Sequence, residues 1–130
     1  MKKVLFICVG NAARSKMAEA FYNAFSKKGR AISAGVKPKE EVDPSAVHVM
    51  KEVGIDISGQ KPKPLQMEMI EEADKIITMG CAAEEVCPAV FLDKVEDWGL
   101  GDPAGKPIEI VRTIRDEIKR RVERLIEEGY

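Results

Sequence analysis

An apolar run, Val4-Leu5-Phe6-Ile7, follows two lysines near the start of the chain and ends in Cys8. It is too short for a helix and suits a strand buried on both faces. Gly10 and Asn11 break it. From Ser15 onward Met17, Ala18, Phe21 and Phe25 recur on one helical stripe. Lys27-Lys28-Gly29-Arg30 reads as helix end and turn, and Ala31 to Gly35 as a second short strand. After the polar stretch Lys37 to Glu41, Asp43-Pro44 opens a second helix, with Asp43 as N-cap and Pro44 at the first helical position. This helix turns Ala46, Val47, Met50 and Val53 toward the core and ends at Gly54. His48 falls on its exposed side or at the margin and reads as a surface residue.

Two prolines in Lys61-Pro62-Lys63-Pro64 exclude regular helix and make an extended connector. Gln66 to Glu72 forms a short helix, Ile76 to Met79 a third strand ended by Gly80, and Phe91 to Glu96 a fourth. Trp98 to Lys106 is a loop. From Pro107 a long helix carries Val111, Ile114, Ile118, Val122 and Leu125 on one face; Arg112, Arg115, Lys119, Arg120 and Glu123 form a solvated face of mixed sign. Strands alternating with helices predict one α/β domain over residues 1–130, a four-stranded parallel sheet with right-handed crossovers and helices on both faces. Ligands in such sheets bind outside the C-terminal strand ends, where strand order reverses. Cys8 and Cys81 both fall just past strand ends on that edge.

The 130 residues, 45% of them hydrophobic, suffice for one core. A net charge of −1 gives no general reason to expect nucleic acid or an anionic membrane as partner. The opening run is broken before a secretory signal develops, and no stretch approaches the roughly 18 apolar residues of a membrane span. A cytoplasmic protein with its three cysteines reduced is the simplest expectation. An odd count argues against a disulfide framework.

Cys8 to Ser15, Cys-Val-Gly-Asn-Ala-Ala-Arg-Ser, joins the first strand to the first helix. Such a loop turns backbone N–H groups inward beside the positive end of a helix dipole, a setting for a tetrahedral oxyanion held by the amides of Val9, Gly10, Asn11, Ala12, Ala13, Arg14 and Ser15. The planar fork of Arg14 can grip two oxygens at once. Cysteines at helix N-termini beside cations titrate at about 3.5–7.5, which makes Cys8 the candidate nucleophile. A buried strand-end cysteine beside a surface arginine is the plain alternative. The second informative stretch is Cys81-Ala-Ala-Glu-Glu-Val-Cys87-Pro88, a thiol pair or two incidental cysteines. Six residues of helix would separate its Cα atoms by about 9 Å. A disulfide allows only about 4.4–6.8 Å, so a Cys81–Cys87 bridge requires the segment to unwind or loop. Three cysteines without close ligand spacing and a remote His48 do not suggest a metal site.

The loop, with Gly10, Asn11, Arg14 and Ser15 placed as they are, resembles the signature loop of the low-molecular-weight protein tyrosine phosphatases and their relatives, the thioredoxin-coupled arsenate reductases. Ser33-Ala34-Gly35 and the segment Val47 to Ser58 extend the resemblance, which covers essentially the whole chain and implies a flavodoxin-like sheet. The reductase branch implies that Cys8 attacks arsenate, Cys81 then attacks Cys8, and Cys87 moves the disulfide to Cys81–Cys87 for reduction by a thioredoxin-like protein. No bound cofactor is implied, and the biological outcome is arsenic detoxification. The phosphatase branch implies a cysteinyl phosphate, with Ser15 hydrogen-bonding the thiolate and Asp102 protonating the leaving oxygen. A plain turn aspartate is the alternative for Asp102. A non-enzymatic phosphate-binding or phosphocarrier module remains a third possibility.

Three cysteines and a scarcity of aromatic residues favour the reductase, as does Ala104 where phosphatases usually carry an aromatic. Weak phosphatase activity is expected in either branch. Three departures stand out. Ala12 and Ala13 replace a small polar residue and a second cysteine, which rules out a disulfide within the loop. The Cys81–Cys87 interval is one residue shorter than in the reductases. Some reductases hold a monovalent cation at positions matching Asn11, Glu19 and Ser33, with an aspartate where this chain has Lys63. An ammonium there replaces the ion, so turnover is expected to be indifferent to potassium over sodium.

Overall fold

The structure is a computed structural model that describes residues 1–80 and 87–130. Its sheet is built from β1 (Lys2–Cys8), β2 (Gly29–Gly35), β3 (Lys75–Thr78) and β4 (Val95–Asp97), in the order β2-β1-β3-β4 with every pairing parallel. Among the described residues the helices are α1 (Arg14–Phe25), α2 (Pro44–Glu52), α3 (Met67–Glu72) and α4 (Ile108–Glu127), with a 3-10 helix over Ala89–Lys94. The chain steps from β1 to β2 on one side and then back across β1 to β3. The order therefore reverses at β1, and the cleft outside its C-terminal end is the expected ligand position.

The run Val4 to Cys8 is at most 2% exposed because both faces of β1 are covered. Val4, Phe6 and Cys8 join the larger core with Met17, Phe21, Met50, Val111, Ile118 and Val122, contributed by α1, α2 and α4. Leu5 and Ile7 face a second cluster with Ile70, Ala73, Ile76 and Cys87. This alternation is the period-2 pleat read on a strand with no solvent face. Register places Cys8 beside Gly35, Ile7 beside Thr78, and Thr78 beside Asp97, so the chemistry-bearing loops leave from one edge.

Several local expectations need correction. The segment read as a fourth strand from Phe91 is 3-10 helix to Lys94, and β4 is only Val95–Asp97. Its apolar residues satisfied a strand pattern, but short apolar runs do not distinguish strand from helix. β2 begins at Gly29, earlier than its apolar residues mark. On α2 the buried residues are Ala46, Val49 and Met50, whereas Val53 caps the helix and is exposed. Phe25, at the last turn of α1, is also exposed and stacks on Phe21.

Arg115 does not belong to a solvated face. It is buried, donating from Nη1 to the Val49 carbonyl at 2.9 Å and to Glu52 Oε1 at 2.8 Å. Arg112 and Arg115 together hold the Glu52 carboxylate well below its usual range, at about 2, chiefly through the Arg112 hydrogen bonds. This arginine pair ties α4 to α2, and with it the loop entering α2.

Candidate active site

Eight contiguous residues form the cradle, and β2 and the segment after it fix its shape. The carbonyls of Cys8, Val9, Gly10 and Ala12 accept N–H bonds from Val36, Lys37, Lys39 and Asp43, at 2.9–3.3 Å. With its carbonyls engaged on the outside, the loop leaves its N–H groups for the interior. The N-cap of α1 is Ala13, whose side chain makes no capping bond, so the first-turn amides stay available to an anion. Gly35 permits this close approach, since a Cβ there would fall 2.8 Å from the Val9 carbonyl oxygen.

Asn11 is the hinge of the loop. It adopts φ 51, the left-handed conformation that asparagine tolerates better than most residues. Its N–H points at Cys8 Sγ (3.2 Å), and its side-chain Nδ2 donates to Ser15 Oγ (2.7 Å). The Lys63 N–H donates to Asn11 Oδ1 at 2.8 Å and thereby sets the amide's orientation. Because Ser15 Oγ already accepts from Asn11, its hydroxyl hydrogen is free for Cys8 Sγ, 2.9 Å away. The Asn11 N–H and the Ser15 hydroxyl thus both lie within hydrogen-bond reach of one buried sulfur.

Arg14 is buried, and its Nη1 donates to the Leu100 carbonyl at 2.9 Å. Gly80 lies against it. A Cβ at that residue, which has φ +83, would stand 2.3 Å from Arg14 Nη1. The loop bearing Leu100 is anchored by Trp98, buried against Phe6, and by Arg121, which donates to the Trp98 carbonyl. Asp102 sits in that loop with Oδ1 accepting the Ala104 N–H at 3.0 Å. It is therefore both a turn aspartate and a wall of the cleft over Cys8. That cleft has a volume of about 80 Å³ and is lined by Cys8, Val9, Gly10, Ala12, Ala13, Arg14, Lys37, Lys39, Asp43 and Asp102.

Asp43 was readable as an N-cap, and its Oδ1 accepts the Ser45 N–H at 3.0 Å. Its second position, on the cleft wall, was not readable. Lys37, Lys39 and Gly80 were likewise missed. The polar loop after β2 carried a weak signal in its lysines, and Gly80 resembled an ordinary strand stop. Cys87 is a free, buried thiol whose titration burial pushes up, with Lys94 opposing. It belongs to the smaller core cluster, on the other face of the sheet from the cluster holding Cys8. Cys81 and the expected unwinding between it and Cys87 lie outside the described residues. His48 is exposed, 3.5 Å from Glu52. Among the described residues no His, Cys, Asp or Glu cluster suits a metal ion, and no helix is long and apolar enough to cross a membrane.

A glutaredoxin arsenate reductase from Synechocystis is 39% identical over 127 residues, spanning 97% of each chain. An arsenate reductase solved in its phosphate-binding state superposes with a TM-score of 0.86 at 39% identity, covering 100% of both chains. The low molecular weight protein tyrosine phosphatase of T. tengcongensis superposes with a TM-score of 0.88 at 35% identity, over 98% of this chain and 99% of that one. With a family model matching from residue 3 to residue 128, the chain belongs to the low molecular weight phosphotyrosine protein phosphatase family.

Proposed function

We propose that this chain is an arsenate reductase that works through three thiols, Cys8, Cys81 and Cys87. The observation that carries the reading is the cleft. At about 80 Å³, and with no aromatic side chain among the described residues lining it, it suits a bare tetrahedral oxyanion better than an aryl ester. The names of the Synechocystis relative and of the phosphate-binding structure support the same assignment.

In this mechanism the Cys8 thiolate attacks arsenic while the loop amides and Arg14 hold the oxygens, and water leaves. The Cys81 thiolate then attacks the Cys8 sulfur. The sulfur–arsenic bond breaks with its electron pair left on arsenic, so arsenate departs as arsenite and a Cys8–Cys81 disulfide forms. Cys87 next attacks the Cys81 sulfur, expelling Cys8 as thiolate and leaving Cys81–Cys87 for an external dithiol to reduce. The burial of Cys87 away from the Cys8 cluster supports an intermediate thiol between them, since the two sulfurs face different cores. Gly80, directly before Cys81 in sequence, packs against Arg14. A thioredoxin-like protein is the proposed reductant, with glutaredoxin the competitor suggested by the Synechocystis name. A reducing compartment, the cytoplasm, suits this chemistry.

Asp102 favours a second activity. Its place over Cys8 is where a carboxyl group would protonate a leaving alkoxide, so slow phosphate monoester hydrolysis is expected alongside. The deciding experiment follows arsenate-dependent turnover with a thioredoxin or glutaredoxin system in wild type, Cys81→Ser and Cys87→Ser, with aryl phosphate hydrolysis in the same samples. Arsenate turnover lost in both variants while hydrolysis persists is the expected result. Robust hydrolysis indifferent to both substitutions, without arsenate turnover, would make the protein a phosphatase. A cysteinyl phosphate that forms without turnover would make it a carrier.

A further inference from the structure

Lys16 is a lysine that has lost its contact with water. It lies in the first turn of α1 at 1% exposure, and its Nζ has no hydrogen-bond partner among the described residues. Among the described residues its ion pair is with Glu19 Oε1 at 3.7 Å, too long for a hydrogen bond. That same oxygen accepts the hydroxyl of Ser33, which pairs in register with Phe6, two residues before Cys8. The ammonium is thus buried beside the strands that carry Ser33 and Phe6, and Lys16 is not among the residues lining the cleft behind which it sits.

The charged and titratable groups facing it come from three elements. Glu19 of α1 attracts it, Lys63 of the connector repels it, and Cys8 of β1, when ionised, attracts it. Burial pushes the Lys16 ammonium below the ordinary lysine range, and Glu19 opposes that shift. Burying an ammonium without hydrogen bonds is costly, and an apolar side chain of similar length would fill the same space. What methionine could not supply is charge.

We propose that Lys16 is a positioning residue of the oxyanion loop, an ammonium sealed within the fold that supplies fixed positive charge from behind the cradle and strengthens anion binding without touching the anion. Glu19 is its counter-charge, held in place by Ser33. The rival role is purely structural, in which Lys16 serves only to neutralise Glu19.

A double-substitution cycle separates the two. Lys16→Met, Glu19→Gln and the double variant are compared with wild type for thermal midpoint and for inorganic phosphate affinity by titration calorimetry. Lys16→Met should lower the midpoint and weaken phosphate binding about fivefold or more, the scale of one charge at partly screened distance. Glu19→Gln should lower the midpoint, since it leaves the Lys16 ammonium without its counter-charge. The double variant should recover the midpoint and not the affinity. Recovery of both, or a Lys16→Met affinity within about twofold of wild type, overturns the proposal. The inference rests on the oxyanion cradle alone. With phosphate as probe, a failure to turn over arsenate, which sinks the proposed function, leaves this test unaffected. A wild type that binds no phosphate overturns the cradle and this inference together.

Discussion

Replacing Gly80 with alanine tests whether Arg14 is the principal side-chain ligand of the anion. Two costs can be separated. A side chain at φ +83 strains the backbone by about 1–2 kcal/mol. The new Cβ also falls 2.3 Å from Arg14 Nη1, an overlap the protein must relieve. Relief comes at the guanidinium, the far end of a flexible side chain, which must leave its 2.9 Å bond to the Leu100 carbonyl. A hydrogen bond from a charged donor contributes about 1.5–3 kcal/mol, and its loss leaves the fork free to wander. The fold should survive while the cradle loses its arginine, weakening phosphate binding about 10- to 100-fold, or roughly 1.4–2.8 kcal/mol. Gly54→Ala is the matched control. Gly54 has φ +82, and no heavy atom of the described residues lies within 4 Å of where its Cβ would stand, so it incurs only the backbone strain. Isothermal titration with phosphate and thermal melts of both variants make the comparison. Phosphate affinity in Gly80→Ala within about twofold of the Gly54→Ala value would refute the reasoning.

Ser15→Ala removes the hydroxyl directed at Cys8 Sγ, so kcat for aryl phosphate hydrolysis or arsenate turnover should fall about tenfold or more while phosphate affinity changes little; an unchanged kcat removes Ser15 from the mechanism. Cys87 is buried with its titration pushed up, so in the native protein iodoacetamide at neutral pH should modify it far more slowly than Cys8, and at comparable rates once urea unfolds the chain. Mass spectrometry of the labelled peptides reads this directly, and equal native rates would contradict the packing. Glu52 titrates at about 2 when folded, below the usual 4.5, so its contribution to stability is present above pH 4.5 and is lost as pH falls toward 2. Glu52→Gln should flatten that acid limb in urea melts from pH 2 to pH 7; an acid limb as steep as in wild type would show that other carboxylates carry it.

The cradle was legible because it is local. Cysteine, glycine, asparagine, arginine and serine lie within one strand-to-helix turn, and the requirements of that turn are written in adjacent positions. The buried strand β1 and the long helix α4 were legible for a related reason, since an apolar run and a 3.6-residue stripe are properties of a single segment. Residue type alone did not reveal which charged groups leave water. Lys16 and Arg115 look like surface residues, and they are buried because Glu19, Glu52 and the Val49 carbonyl meet them there.

The same limit explains what was missed around the cleft. Arg14 is shaped by Gly80 and Leu100, and Asn11 by the main chain of Lys63, 52 positions away. The sequence by itself determined the strand-to-helix loop that carries Cys8, Asn11, Arg14 and Ser15, the parallel α/β architecture and the number of thiols available. The tertiary structure alone decided which distant groups orient those residues, which face of the sheet Cys87 occupies, and which lysine becomes a buried charge. The reason is physical. Backbone conformation and periodicity depend on neighbours in the chain, whereas desolvation and hydrogen bonding depend on neighbours in space.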